Sequence, residues 1–362
     1  MMMKSLSSSA GFRSFTLGLL CALAVILVVP SAARAAEGGF RCEELSFDVN
    51  LSPGDPTVYS VFGVLCSRGS IQHKTIQVTL HGSTYSHLYW DWPLQPETYS
   101  YVRRATAAGY AVLNLDRIGI GQSDRPPAAD VTIAANAHVV HQVVQALRGG
   151  DLVVPSFGRV RADRVALVGH SLGSVIAIQE AATYGDVDGV ALTGVSHTVT
   201  PILNEIFAVL YPANLDPRFP GVPDGYLTTL PGTRGVFYYL PSVDPLVLAL
   251  DEATKETVTG AELDTAFPGL FLSGGVHVPA LVEVGDLDLA FCADPSCSVS
   301  GSLSAESSFF PADACVETAA IAGAGHDLNL HVQAPAAYDT LLSWMDRRVG
   351  SDSSVPPPVP CP

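Results

Sequence analysis

Basic side chains are scarce in this sequence. Nineteen Lys and Arg stand against 35 Asp and Glu, a formal net charge of −16. Such a balance excludes nucleic acid and anionic membrane as expected partners, because neither would find a cationic footprint. Long apolar runs are also scarce. Phe15 to Val29 is one, and no other stretch is long and apolar enough to cross a bilayer. A zinc-type cysteine spacing is missing, so no tetrahedral metal site is read from the thiols. The glycine loop around Gly119 and Gly121 leads into Arg125-Pro126-Pro127 and not into a helix, which disfavours dinucleotide binding. Internal repeats are absent.

The apolar run near the N-terminus has the layout of a secretory leader. Lys4 and Arg13 precede it, Pro30 breaks it, and Ala33-Arg34-Ala35 offers a cleavage site. Residues 1–35 are therefore expected to be a signal peptide and the protein to be secreted. An uncleaved anchor is the rival reading, but the run is shorter than the roughly 20 residues that a span needs. The leader contains Lys4, Arg13 and Arg34 and no acidic residue, so the remainder of the chain is more acidic still. Stable membrane insertion is not expected once the leader is gone.

Seven cysteines are present, and Cys21 falls inside the leader. The remaining even number in an exported chain predicts three disulfides. Two strand-like stretches flank Pro53-Gly54-Asp55-Pro56, and a hairpin folded there sets Cys42 opposite Cys66. Cys292, Cys297, Cys315 and Cys361 allow three connectivities. Cys292 with Cys297 is favoured, which leaves Cys315 for Cys361.

From Thr75 to about Val195, short apolar strands alternate with helical patterns. Strands are read at Thr75 to Leu80, Tyr110 to Leu115, Val165 to Val168 and Val190 to Gly194. Helices are read at Tyr99 to Ala108 and Val131 to Leu147. That rhythm is the signature of a mostly parallel, twisted α/β sheet covered by helices on both faces. It fails between about 198 and 271, where Pro and Gly are mixed with scattered Leu, Phe and Tyr. This stretch reads as a cap inserted over the carboxyl edge of the sheet. A further strand follows at Pro279 to Val284, a last one at Ala314 to Ala320, and a helix at about Ala336 to Arg348. The main domain is thus expected over 36–350. The Ser- and Pro-rich tail, 351–362, is expected to be extended.

The chain is organised around Gly169-His170-Ser171-Leu172-Gly173. A strand precedes this G-x-S-x-G sequence and a helix follows it. A serine there sits on a tight, strained turn at the top of the sheet, with helical N–H groups aimed at the reacting atom. The bland reading is a glycine-rich turn whose serine only caps the helix. A serine hydroxyl also needs a base, and the base needs an orienting acid. His326 follows Gly323-Ala324-Gly325 beyond the last strand and is the candidate base; His331 and His197 are weaker rivals. His138 and His141 read as a helix face. Asp286 and Asp288 both end one strand, and their positions alone do not separate them. A tetrahedral intermediate requires two N–H donors. Leu172 supplies one, and Ser83, after the Thr75 to Leu80 strand, is best placed for the other, with His81 shaping that loop.

Taken together, His81-Gly82-Ser83, the Asp116 to Ser123 loop, the Ser171 elbow, Gly285-Asp286-Leu287-Asp288 and Gly323-Ala324-Gly325-His326 resemble the α/β-hydrolase-fold serine hydrolases over about 80–348. The resemblance implies Ser171 as nucleophile and His326 as base. It favours Asp288 as the acid, because relatives often end this strand in Gly-x-x-Asp. Relatives that open epoxides or remove halide carry Asp at the elbow, where this chain has Ser. The expectation is a cofactor-free hydrolase of carboxylic esters whose partner is a small apolar ester. The alternatives are the same machinery acting on a thioester, amide, lactone or C–C bond, or forming a peracid, and a non-catalytic binding protein on the same fold.

Overall fold

The computed structural model describes residues 39–292, 297–359 and 361. The leader read from residues 1–35 lies outside the described residues. The described residues form one compact unit.

Two long strands open the fold. β1 (Phe40–Val49) and β2 (Tyr59–Arg68) form an antiparallel hairpin in which Cys42 lies directly opposite Cys66, and the two are disulfide-bonded. β3 (Ile76–Leu80) follows. The single helix expected from Tyr99 is two pieces, α1 (Pro96–Tyr99) and α2 (Tyr101–Ala107). Ser100 divides them, because its hydroxyl accepts the Arg103 N–H and so starts a new helix. β4 (Ala111–Leu115) leads to α3 (Ile133–Gly149), whose cap is Thr132. A small hairpin, β5 (Leu152–Val154) and β6 (Gly158–Val160), has no visible pattern in the sequence because its strands are three residues each. Then come β7 (Val165–His170), α4 (Leu172–Tyr184) and β8 (Val190–Thr193).

Between β8 and the next strand of the main sheet lies the irregular segment. It contains α5 (Leu203–Ala208), β9 (Leu210–Pro212), β10 (Tyr226–Thr229), α6 (Pro245–Thr254), β11 (Val258–Thr259) and α7 (Gly260–Leu270). β9, β10 and β11 make a separate three-stranded sheet. β12 (Ala280–Gly285), β13 (Glu317–Ile321) and α8 (Ala334–Arg348) complete the chain.

The main sheet has eight strands in the order β1-β2-β4-β3-β7-β8-β12-β13. β2 pairs antiparallel with β1 on one side and β4 on the other, and every pairing from β4 to β13 is parallel. β3, β4, β7, β8 and β12 are buried along their whole length, as strands covered on both faces must be. Their side chains alternate between two cores. Val165 and Leu167 of β7 pack with α3 and α4, whereas Ala166 and Val168 pack with Tyr101 of α2 and with Tyr338 and Trp344 of α8.

Disulfides Cys292–Cys297 and Cys315–Cys361 are formed as well. The tail is not simply extended. Asp352 accepts hydrogen bonds from the Ser354 N–H and hydroxyl, which folds a local turn. No helix among the described residues is long and apolar enough to cross a membrane.

Candidate active site

β7 runs straight into α4, and Ser171 is the single residue between them. Its φ of 51° and ψ of −117° place a non-glycine residue in a sparsely populated region of backbone space. The surroundings allow little else. A Cβ on Gly169 would lie 2.5 Å from the Ser174 backbone, and one on Gly173 would lie 2.2 Å from the Leu80 carbonyl oxygen. The Ser171 N–H donates to the Thr193 carbonyl at 2.8 Å, which fixes the turn to β8. Ser171 is thus held by two neighbouring strands at the carboxyl edge of the sheet.

His326, on the loop after β13, reaches this point. Its Nε2 lies 2.9 Å from Ser171 Oγ, and its Nδ1 lies 2.8 Å from Asp288 Oδ2. With Nδ1–H donated to the carboxylate, Nε2 is left as the acceptor for the serine hydroxyl. His326 and Asp288 are both buried. Burial pushes the imidazole pKa down, but the charge and hydrogen bond of Asp288, helped by Asp327, outweigh that and raise it above its ordinary 6.5. Asp286 has a different task. Its Oδ1 accepts the Gly323 N–H at 2.7 Å and so holds the turn leading to His326.

The loop after β3 presses against the serine. A Cβ on Gly82 would lie 3.2 Å from Ser171 Cβ, and Ser83 lines the same cavity as Ser171 and Leu172. Leu172 opens α4, so its N–H has no carbonyl one turn back and remains available. His81 is wholly buried, and burial followed by the nearby Arg117 charge holds its pKa well below 6.5. The neutral ring donates from Nδ1 to the Gly82 carbonyl at 3.0 Å and accepts the Arg117 N–H at 3.2 Å.

The family model described as the alpha/beta hydrolase family matches residues 77–339. The chain belongs to the alpha/beta hydrolase family. Solved structures carry the same fold at low identity. A thermophilic esterase from Thermogutta terrifontis is 16% identical, with a TM-score of 0.53, over 83% of this chain and 98% of the other. The alpha/beta hydrolase GrgF from Penicillium sp. sh18 is 14% identical, with a TM-score of 0.56, over 85% and 99%. A membrane phospholipase A, described as a bacterial virulence factor, is 17% identical, with a TM-score of 0.52, over 85% and 86%. No curated protein matches the sequence.

Two cavities of unequal size flank Ser171 in this hydrolase. The larger, about 320 Å³, is lined by Val175, Leu203, Phe207, Leu263, Leu270 and Phe291 among others, most of them from the segment between β8 and β12. The smaller, about 40 Å³, lies on the side of His326 and is bounded by Tyr85, Phe237 and His170.

Several residues that organise the hydrolase site carry no clear signal in the sequence. Arg117 is buried behind the Ser83 loop. Its guanidinium donates to the His81 carbonyl at 3.0 Å and the Gly82 carbonyl at 3.3 Å, and it pairs with Glu262 of α7. Glu262 also completes a capping box with Thr259. His170 and Asp327 form a second imidazole–carboxylate pair behind the first. The Tyr85 hydroxyl, with one proton to give, lies within hydrogen-bond reach of both Asp327 and Asp251, and Asp251 is gripped by Arg234 through two hydrogen bonds. This buried network ties the loop carrying His326 to the inserted segment.

The rival histidines are engaged elsewhere. His331 Nε2 accepts the N–H groups of Gly325 and Tyr239, and its Nδ1 donates to the Asp327 carbonyl. His197 pairs with Glu306 at 2.5 Å in a buried contact. His138 bonds Tyr184 and Asn50, and His141 bonds Asp186.

Proposed function

We propose that this protein is a serine hydrolase of carboxylic esters, with Ser171 as nucleophile, His326 as base, Asp288 as orienting acid, and the Ser83 and Leu172 N–H groups as the oxyanion hole. One observation carries the reading: the His326 ring bridges Ser171 Oγ at 2.9 Å and Asp288 Oδ2 at 2.8 Å at the foot of an apolar cavity. His326 takes the hydroxyl proton as Ser171 attacks the acyl carbon. The oxyanion is met by preorganised donors, and removing one such donor costs about 3–4 kcal/mol of barrier. His326 then passes the proton to the departing alcohol and activates water to release the acid.

The two cavities support an asymmetric substrate. The leaving group must lie toward His326, which protonates it, and that side holds only about 40 Å³. The acyl chain then takes the apolar cavity of about 320 Å³. An ester of an apolar acid with a small alcohol fits this division. The segment from 198 to 271 serves as the cap, within a hydrolase domain over 36–350. The three disulfides support an oxidising, extracellular setting, consistent with a leader over 1–35 and secretion.

A fluorophosphonate probe tests the chemistry. It is expected to label the wild type and to spare Ser171→Ala. Nitrophenyl esters of rising acyl length are expected to show turnover with a length optimum. Well-folded protein that neither takes the label nor turns over any ester in the series would sink the esterase reading in favour of a binding protein.

A further inference from the structure

Glu180, near the C-terminal end of α4, is wholly buried, and neither of its carboxyl oxygens meets a hydrogen-bond donor among the described residues. Just beyond the end of α4, Asp186 faces it, and Asp186 Oδ1 is likewise buried without a donor. His141 of α3 closes the cluster, with Nδ1 2.8 Å from Asp186 Oδ2. One ligand atom from each of the three residues lies within 4.8 Å of the other two.

Two carboxyls held together away from water need something positive between them. A proton shared between the Glu180 and Asp186 carboxyls serves when nothing else is there. A divalent cation would serve both carboxylates at once. The donor set narrows its type. Calcium and magnesium take oxygen ligands, whereas an imidazole with two carboxylates and an open position suits zinc and its neighbours. Supporting contacts are in place. The Tyr184 ring stacks on His141 at 4.0 Å and 11°, which fixes the imidazole plane. Gln145 Nε2 lies 2.5 Å from Asp186 Oδ2, the kind of outer contact that orients a ligating carboxylate. The His141 and Asp186 side chains are 24% and 15% exposed, which leaves an entry path.

We propose that His141, Glu180 and Asp186 form a zinc-class divalent metal site that clamps α3 to the C-terminal end of α4. Glu180 follows Ser171 by nine residues on one helix, a separation of about 13 Å along the axis. The site is therefore structural and independent of the chemistry at Ser171.

The full chain, stripped with EDTA and dialysed, is titrated with zinc chloride against a chromophoric chelator, and thermal unfolding is followed with and without zinc. One zinc per chain is expected. Tm should rise by about 4 °C when zinc exceeds Kd a hundredfold, in the wild type and in Ser171→Ala alike. Asp186→Asn and Glu180→Gln should each weaken binding by at least about tenfold and cut the rise at the same zinc concentration to about half or less. The Glu180→Gln amide can still donate to Asp186, so its zinc-free Tm should match the wild type and report an intact fold. Absence of saturable zinc binding in the wild type overturns the proposal. So does binding that survives Asp186→Asn and Glu180→Gln but is lost in His326→Ala, since the zinc then sits beside Ser171. A Tm rise with calcium that exceeds the rise with zinc overturns the assigned metal class.

Discussion

His170 Nε2 lies 3.0 Å from Asp327 Oδ1, so the residue before Ser171 grips the residue after His326. Both side chains are wholly buried, and the His170 ring stacks on Tyr89 at 4.4 Å. Burial pushes the Asp327 carboxyl up, but the hydrogen bond from His170 outweighs it and holds the carboxyl below its ordinary value. The contact joins the strand that carries Ser171 to the loop that carries His326. Burial holds the His170 ring below its ordinary pKa, so the pair is a charge-assisted hydrogen bond from a neutral imidazole, and removing Asp327 strands the buried His170 and Tyr85 donors at about 1–3 kcal/mol each. Asp327→Ala is therefore expected to lower Tm by roughly 3–9 °C. A double-mutant cycle with His170→Ala should give a coupling of at least about 1 kcal/mol. Additive losses would show that the two residues act separately.

On the proposed mechanism the acid limb of the pH–rate profile should report His326, because a general base works only when neutral. Its pKa is raised above 6.5, so kcat/KM should climb with pH through an apparent value above 6.5. The linkage to stability runs the opposite way. A pKa raised by folding adds stability that is fully present below 6.5 and is lost as pH rises through the raised value. The enzyme becomes active over the same range in which this contribution fades. Asp288→Asn should move the acid limb to lower pH and reduce kcat by about 10³–10⁴. A limb left unmoved by that substitution would assign it to another group.

Arg117 acts through the loop that bears Ser83, and is a positioning residue. Arg117→Ala frees the His81 and Gly82 carbonyls and strands Glu262 without its cation. The expected result is a kcat reduced by about 10–100-fold with KM changed far less, since oxyanion contacts strengthen in the transition state. Arg117→Lys should rescue little, because an ammonium cannot reproduce the planar set of donors. Steady-state kinetics on a short-chain nitrophenyl ester decide it. A change confined to KM would place the effect in substrate binding.

Chain-length preference should answer to the walls of the larger cavity. Ala266 lines it from α7. Ala266→Trp is expected to fill part of the space and lower kcat/KM for long acyl esters by more than about tenfold, the scale of losing one or two methylene contacts. Acetyl and propionyl esters should change little. Equal losses across the series would mean that the acyl chain lies elsewhere.

The parts of the site that rest on local pattern are legible in the sequence. Ser171 stands where a buried strand becomes a helix, and that junction is visible in the residues themselves. His326 and the Asp286/Asp288 pair are marked by strand ends followed by small or acidic residues. Which aspartate faces the imidazole is not legible from position, because both sit beyond the same strand; the turn at Gly323 takes one and His326 takes the other. Contacts across long separations leave no local trace. His170 and Asp327 are 157 residues apart, and Arg117 and Glu262 are 145 apart. The small sheet of β9, β10 and β11 is hidden for another reason: strands of two to four residues show no usable alternation.

The last residues have a practical consequence. Ser351 meets Thr75 just before β3, and Arg164, just before β7, donates to the carbonyls of Val349, Asp352 and Val355. The terminal segment, stapled by Cys315–Cys361, therefore runs along the amino ends of the parallel strands, while Ser171 sits at their carboxyl ends. Immobilising the enzyme on a resin or electrode through its C-terminus would leave the substrate entrance facing away from the support.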